Sequence, residues 1–254
     1  MPCLKSIISM KDQEYEIIVV DNGSSDHTVD KINSFIDENP ICDLSLILLE
    51  KNMGTTISRN IGIKKASLDT VYICILDSDT IINQAAMKEL IEVLEENPLN
   101  AVTGPNMVNL ENEELVTAKK IPTALLKIEK AIPIRFIQKK GEEQEKYYFV
   151  EEKRSYPVGY LISACWMLKK AMIEKIGLLD ENIFYSPEDV EYCVRIWKKG
   201  YRVVYCPEAH IIHATQRISK KKIFSRHNWE HLKGLVYFFG KYKLFRSSNK
   251  IDCK

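Results

Sequence analysis

Three short apolar runs, each ending on a polar turn and each followed by apolar residues at helical spacing, constrain this chain more than any other feature. Glu16 to Val20 (EIIVV) leads into Asp21-Asn22-Gly23-Ser24-Ser25-Asp26, after which Val29, Ile32, Phe35 and Ile36 recur with a helical period. Leu44 to Leu49 leads into Asn52-Met53-Gly54, with Ile57, Ile61 and Ala66 marking a helix. Val71 to Leu76 leads into Asp77-Ser78-Asp79, with Met87, Leu90, Ile91 and Leu94 behind it. Strands that are apolar throughout and alternate with helices predict an α/β fold with a mostly parallel central sheet flanked by helices. In such sheets the loops at the carboxyl ends of the strands gather along one edge. Asp21, Asn22, Asp77 and Asp79 are therefore expected to share a crevice despite their separation in sequence.

The rest of the chain extends this frame. Ala101 to Gly104 predicts a short strand, whereas 109–155 loses periodicity, is rich in Lys and Glu, and has Pro122 and Pro133 interrupting its apolar clusters, as an insertion would. Val158 to Leu168 is a strand-like run, followed by a short helix to Ile176 and a turn at Gly177. Glu188 opens a helix carrying Val190, Val194, Ile196 and Trp197, Gly200 ends it, and Tyr201 to Cys206 predicts another strand. Beyond His213, Lys220, Lys221, Lys222, Arg226, Lys233, Lys241 and Lys243 are interleaved with Phe224, Trp229, Tyr237, Phe238, Phe239 and Phe245. The expected division is one domain over 1–215 and a basic, aromatic, helical C-terminal extension over 216–254.

Composition removes several classes of function. With 36 Lys and Arg against 35 Asp and Glu, the net charge of +1 supplies no global field for holding nucleic acid. The seven cysteines are odd in number, lack CxxC spacing and in part sit inside apolar runs, so buried free thiols in a reducing cytoplasm are expected. No apolar stretch approaches the roughly 18–20 residues of a membrane span, and no leader pattern opens the chain.

Asp77-Ser78-Asp79 puts two hard oxygen ligands on one turn, which suits Mg²⁺ or Mn²⁺ bound to a diphosphate; the same residues would serve equally as caps for the next helix. The Asp21 to Asp26 loop offers N–H groups, hydroxyls and a carboxylate to a nucleotide, or, for its Ser residues and Asp26, an Asx turn leading into a helix cap. Arg59 would neutralise a phosphate bidentately if it faced the crevice, and would be a solvated helix residue otherwise. Glu188-Asp189 follows Pro187 at a helix start, where the dipole favours ionised carboxylates; the pair would cap the helix or supply a general base. His213, with His210 three residues earlier, gains meaning only beside the acid pairs.

Taken in order, VVDNGSSD (Val19 to Asp26), the N-x-G-x-x-x-x-R-N-x-G pattern from Asn52 to Gly62, LDSD (Leu76 to Asp79), Gly177-Leu178-Leu179-Asp180-Glu181 with Phe184 and Glu188-Asp189, and Gly200-Tyr201-Arg202 leading to Pro207-Glu208-Ala209 and His213 resemble the family 2 glycosyltransferases of the GT-A fold. Within them the resemblance is to the rhamnosyltransferase-like subgroup. It implies transfer of a sugar from a nucleotide-diphosphate donor to a glycan or lipid-linked acceptor, by metal-assisted inverting displacement, in cell-envelope polysaccharide synthesis. It also implies roles: Asp21 at the nucleotide base with Asn22 and Asn52 in the same donor site, Asp77 at the ribose or metal, Asp79 at the metal, and Arg59 near the diphosphate. Asp189 would be the base with Glu188 beside it, and His213 a further metal or diphosphate contact.

Against the family pattern, the opening Met1-Pro2-Cys3-Leu4-Lys5-Ser6-Ile7 reads as the end of a first helix. The family's first strand is thus expected to be missing, from a start lying upstream or from truncation to an inactive nucleotide-sugar or partner-binding protein. Another enzyme reading takes Asp77-Ser78-Asp79-Thr80 as the D-x-D-x-T of haloacid-dehalogenase-like phosphatases, with Asp77 as nucleophile. The tail is expected to be a packed helix with a solvated lysine face, or a peripheral contact with the inner face of the cell membrane near a lipid-linked acceptor.

Overall fold

β1 (Ile17–Asp21) and β2 (Leu44–Leu48) pair in parallel, with Ile17 opposite Leu44 and Asp21 opposite Leu48. Between them runs α2 (Thr28–Glu38), which buries Ile32 and Phe35, three residues apart on one face. This is a computed structural model, and it describes residues 1–11, 14–40, 42–131, 141, 143–145, 154–214, 226–245, 247, 251 and 253. α1 (Pro2–Ile8) precedes β1, as the opening residues predict.

α3 (Thr55–Lys65) leads to β3 (Tyr72–Leu76), the first strand of a second, larger sheet. Its order is β3, β10 (Cys165–Lys169), β5 (Asn100–Val108), β11 (Arg202–His213) and β4 (Thr80–Ile81). β5 and β11 run parallel, whereas β10 is antiparallel to both β3 and β5, and β4 to β11. The α/β fold class therefore holds, with a central sheet that is mixed in detail.

Four stretches differ from the sequence reading. The strand expected at 101–104 spans Asn100–Val108, and the one expected at 201–206 continues to His213 through an irregularity between Cys206 and His210. The Val158 to Leu168 run is not one strand: β8 (Tyr156–Pro157) pairs with β11, β9 (Tyr160–Leu161) pairs with β7 (Ala118–Lys119), and a turn at Ser163-Ala164 precedes β10. The aperiodic stretch contains β6 (Glu114–Leu115), β7 and α5 (Ala124–Ala131); much of the remainder of 109–155 lies outside the described residues.

Alternation along β10 builds two cores. Cys165 and Met167 face Leu90, Val93 and Leu94 of α4 (Gln84–Glu95), while Trp166 and Leu168 face the opposite cluster with Tyr192, Val194 and Ile196. Those last three lie on α7 (Glu188–Lys198), which follows α6 (Lys170–Ile176), and Trp166 stacks on Tyr192 at 5.8 Å. α8 (Arg226–Tyr242) adds Phe238 and Phe239 to this second core, so the C-terminal helix packs with the same core as the rest. All seven cysteines are free thiols, four of them buried. No helix of the described residues is long and apolar enough to cross a membrane.

Candidate functional site

The site forms where β1, β2 and β3 end and where α7 begins. Asp21 closes β1 and is buried, and its Oδ2 accepts from the Ser24 N–H at 2.9 Å, forming an Asx turn. Asp26 makes a second one, accepting from the Thr28 N–H at 3.0 Å at the start of α2. Asn22 then knits this loop to the next: its Oδ1 accepts from the Met53 N–H at 2.8 Å, and its Nδ2 donates to Asn52 Oδ1 and to the Gly54 carbonyl, each at 3.2 Å.

Gly54 is the point of closest approach. It holds φ +88°, and a Cβ there would stand 2.2 Å from the Phe184 carbonyl oxygen, a position no other residue type can occupy without displacing backbone. The adjoining Thr55 N–H donates to that carbonyl at 2.8 Å, Thr55 Oγ1 donates to the Tyr185 carbonyl at 3.0 Å, and Thr56 Oγ1 to the Ile183 carbonyl at 2.6 Å. The loop after β2 is thus stitched to the segment that delivers Glu188 and Asp189.

Arg59, one turn further along α3, turns inward. Its Nη2 donates to Asp77 Oδ1 at 2.8 Å, and its Nη1 to Glu188 Oε1 at 3.0 Å and to Ser163 Oγ at 2.8 Å. Its side chain is only 13% exposed. Burial opposes the charge, yet Asp77 and Glu188 more than offset it and leave the guanidinium firmly protonated. Ser163 Oγ in turn donates to Glu188 Oε1 at 3.0 Å. Ser163 is the residue that sequence reasoning missed; its signal was a lone hydroxyl within an apolar run, at the place where that run breaks.

Asp77 and Asp79 do not cap the helix that follows. β4 intervenes, and Asn83 caps α4 by accepting from the Ala86 N–H at 2.9 Å. Asp79 Oδ1 instead meets His213 Nε2 at 3.2 Å, where β11 runs beside β4. That hydrogen bond holds the Asp79 carboxyl below its usual range despite burial, and raises His213. Among the described residues His213 Nδ1 is buried without a hydrogen-bond partner, and ligand atoms of Asp77, Asp79 and His213 lie within 4.8 Å of one another. Two carboxylates and an imidazole are a donor set that fits a divalent cation. His210, by contrast, is exposed, and its carbonyl accepts from Asn83 Nδ2 at 3.1 Å.

Glu188 and Asp189 occupy the first turn of α7. The helix dipole favours their ionised forms, but burial outweighs it: both carboxyls are raised, Glu188 further by the neighbouring Asp189 charge. They differ in partners. Glu188 is committed to Arg59 and Ser163, whereas the one hydrogen bond to the Asp189 carboxylate among the described residues comes from the adjacent Val190 N–H, at 2.8 Å. Lys119 and Lys127, from the aperiodic stretch, add positive charge near Asp189. The predicted residues thus gather in three places: Arg59 with Asp77 and Glu188, beside which Asp189 follows in the same helical turn; Asp79 with His213, whose ligand atoms lie within 4.8 Å of that of Asp77; and Asp21, Asn22 and Asn52 in a neighbouring loop pair joined to the acid-bearing segment through Gly54.

The α/β layer that carries these strand-end acids is that of a GT-A fold, and solved structures that resemble it share that fold. One, GalNAc-T7 with UDP, GalNAc and Mn²⁺, superposes with a TM-score of 0.68 at 16% identity, covering 94% of this chain and 44% of that one. Another, a mannosyltransferase from Pyrobaculum calidifontis in complex with GDP-Man and Mn²⁺, gives 0.61 at 15% identity, covering 94% and 59%. The chain belongs to glycosyl transferase family 2, whose model matches residues 2–177. Among curated relatives, the poly-beta-1,6-N-acetyl-D-glucosamine synthase of Staphylococcus aureus is 28% identical over 207 residues, covering 81% of this chain and 44% of the synthase. The chain therefore spans less than half the length of that relative. Family membership displaces the phosphatase reading of Asp77.

Proposed function

We propose that this chain transfers a sugar from a nucleotide-diphosphate donor to a glycan or lipid-linked acceptor by a single inverting displacement, in cell-envelope polysaccharide synthesis at the inner face of the cell membrane. The observation that supports the reading is the contrast between the two acid pairs: Asp77 and Asp79 lie with His213 in a group that could hold a cation, and Asp189 is the carboxylate that no cationic side chain among the described residues hydrogen-bonds.

In the displacement, the acceptor oxygen forms its bond to the anomeric carbon as the bond to the diphosphate breaks, and the electron pair of that bond leaves with the nucleoside diphosphate. The acceptor proton goes to the Asp189 carboxylate, whose raised pKa makes it a stronger base than an exposed aspartate. Glu188, fixed by Arg59 and Ser163, orients the first turn of α7 so that Asp189 faces the acceptor. Asp21, Asn22 and Asn52 hold the nucleoside end of the donor. Mg²⁺ or Mn²⁺ held by Asp77, Asp79 and His213 would neutralise the charge that develops on the departing diphosphate. Arg59, near the diphosphate, contributes chiefly by locking Asp77 and Glu188 in place, because both of its terminal nitrogens already donate inside the protein.

The deciding experiment is calorimetric titration with UDP, dTDP and GDP, each with and without Mn²⁺, alongside Asp79→Ala. Mn²⁺-dependent binding of one nucleotide, lost in Asp79→Ala, is the expected result; folded protein that binds none of the three would overturn the reading.

A further inference from the structure

α8 has two unlike faces. Inward, Gly234, Phe238 and Phe239 are buried, and a Cβ on Gly234 would stand 2.2 Å from the Ser186 carbonyl oxygen, two residues before Glu188. The helix therefore lies in backbone contact with the segment that carries the acid pair. Lys241 anchors the same side, donating to Asp180 Oδ2 at 2.5 Å and to the fully buried Glu191 at 2.9 Å, while Tyr237 and Tyr242 hydroxyls donate to the same two carboxylates.

Outward, Trp229, Leu232 and Val236 follow one another at three- and four-residue spacing and are 59%, 51% and 68% exposed. With Lys233 they line a shallow open groove, and the Lys233 ammonium lies 5.7 Å from the centre of the Trp229 ring. An exposed stripe of this kind on a helix already firmly packed on its other side is not explained by the core.

Charge identifies what covers it. Residues 216–254 contain eleven Lys and Arg against two acids, Glu230 and Asp252, so the first 215 residues of this nearly neutral protein carry the opposite excess. Lys233 pairs with Glu230 at 3.0 Å and Lys241 with Asp180 and Glu191, so the excess rests on the other basic residues that flank the helix in sequence; such an excess next to an apolar, tryptophan-bearing helix face matches an anionic lipid surface, into whose interface aromatic and aliphatic side chains sink while basic groups remain at the headgroups.

We infer that the outer face of α8, formed by Trp229, Leu232, Lys233 and Val236, docks this protein on an anionic bilayer. The inference rests on the proposed transfer only in what it adds to it: docking would hold the acid pair, through the Gly234 contact, at a set distance from a lipid-borne acceptor.

The test is co-sedimentation of the full chain with vesicles of phosphatidylcholine alone, or of phosphatidylcholine and phosphatidylglycerol in equal parts, at low and high salt. Nucleotide binding is measured on the same preparation. Binding to the phosphatidylglycerol vesicles, weakened by salt and reduced about tenfold in a Trp229→Ser, Leu232→Ser, Val236→Ser variant that keeps its thermal midpoint, is expected. A blue shift of tryptophan emission on binding, absent in Trp229→Phe, would support the same conclusion, since Trp166 and Trp197 are buried. Protein that binds nucleotide but no vesicle, binding indifferent to the triple substitution, or a dimer in sedimentation velocity abolished by that substitution would each overturn it. Loss of nucleotide binding with vesicle binding intact would count against the transfer reading alone.

Discussion

The Arg59 side and the His213 side of the site differ although they are built on one turn. Asp77 and Asp79 are equally exposed, 39% and 38% by side chain, so burial does not separate them; their partners do. Asp77 meets a permanently charged guanidinium that also serves Glu188 and Ser163. Asp79 meets an imidazole, whose charge depends on its protonation. The first arrangement compensates charge permanently and fixes geometry; the second pairs a carboxylate with a group that can release its proton and leave both atoms open to a cation. Such a contrast separates scaffolding from binding within a few residues, and it can be tested from both sides.

The largest effect is expected beyond either side, at the proposed base. Asp189→Asn should lower turnover by about 10³- to 10⁴-fold while leaving nucleotide affinity unchanged, measured by steady-state transfer alongside calorimetry. Unaltered turnover would remove Asp189 from its role. On the Arg59 side, Arg59→Leu strands two carboxylates without their counter-charge. An unfolding free energy lower by about 3–5 kcal/mol in urea is expected, and an unchanged midpoint would mean that the network does not hold the site together.

On the His213 side the expected effect is on affinity rather than on stability. Asp79→Ala should reduce Mn²⁺-dependent nucleotide binding by about 100-fold, with little change in the urea midpoint. A stability loss as large as that of Arg59→Leu would erase the distinction between the two sides. The smallest effect belongs to the tether of α8. Asp180 lies down at about 2 because hydrogen bonds from Lys241, Asn182 and Tyr237 overcome the opposing effect of burial. Its folded pKa is below its unfolded one, so its contribution is complete above pH about 4 and is lost as the pH falls through about 2. Asp180→Asn should therefore cost about 1 kcal/mol at neutral pH, a difference from wild type that shrinks on acidification, followed by thermal unfolding across that range.

Much of the frame was legible because period and turn chemistry are local. Asp21, Asp77 and Asp79 lie at strand ends as the apolar runs require, and Glu188 opens a helix after Pro187. What was not legible depends on how strands return. The direction of β10 cannot be read from an apolar run, nor can the turn at Ser163-Ala164 that lets Ser163 join Arg59 to Glu188. The inward turn of Arg59 was equally hidden, because a helix Arg reads as solvated until its acidic partners arrive from residues far along the chain. The cap reading of Asp77 and Asp79 failed for a related reason: the two-residue strand Thr80–Ile81 owes its existence to β11, not to its own sequence.

The close contact at Gly54 reaches into the dynamics of the molecule. Three hydrogen bonds from Thr55 and Thr56 to the carbonyls of 183–185 close over it, so the start of α3 and the segment leading to α7 cannot open separately. They form one cooperative opening unit, whose amide protons should exchange with solvent at a common rate set by a single local unfolding event. Any fluctuation that loosens the loop after β2 is then felt at the acid pair in the same step.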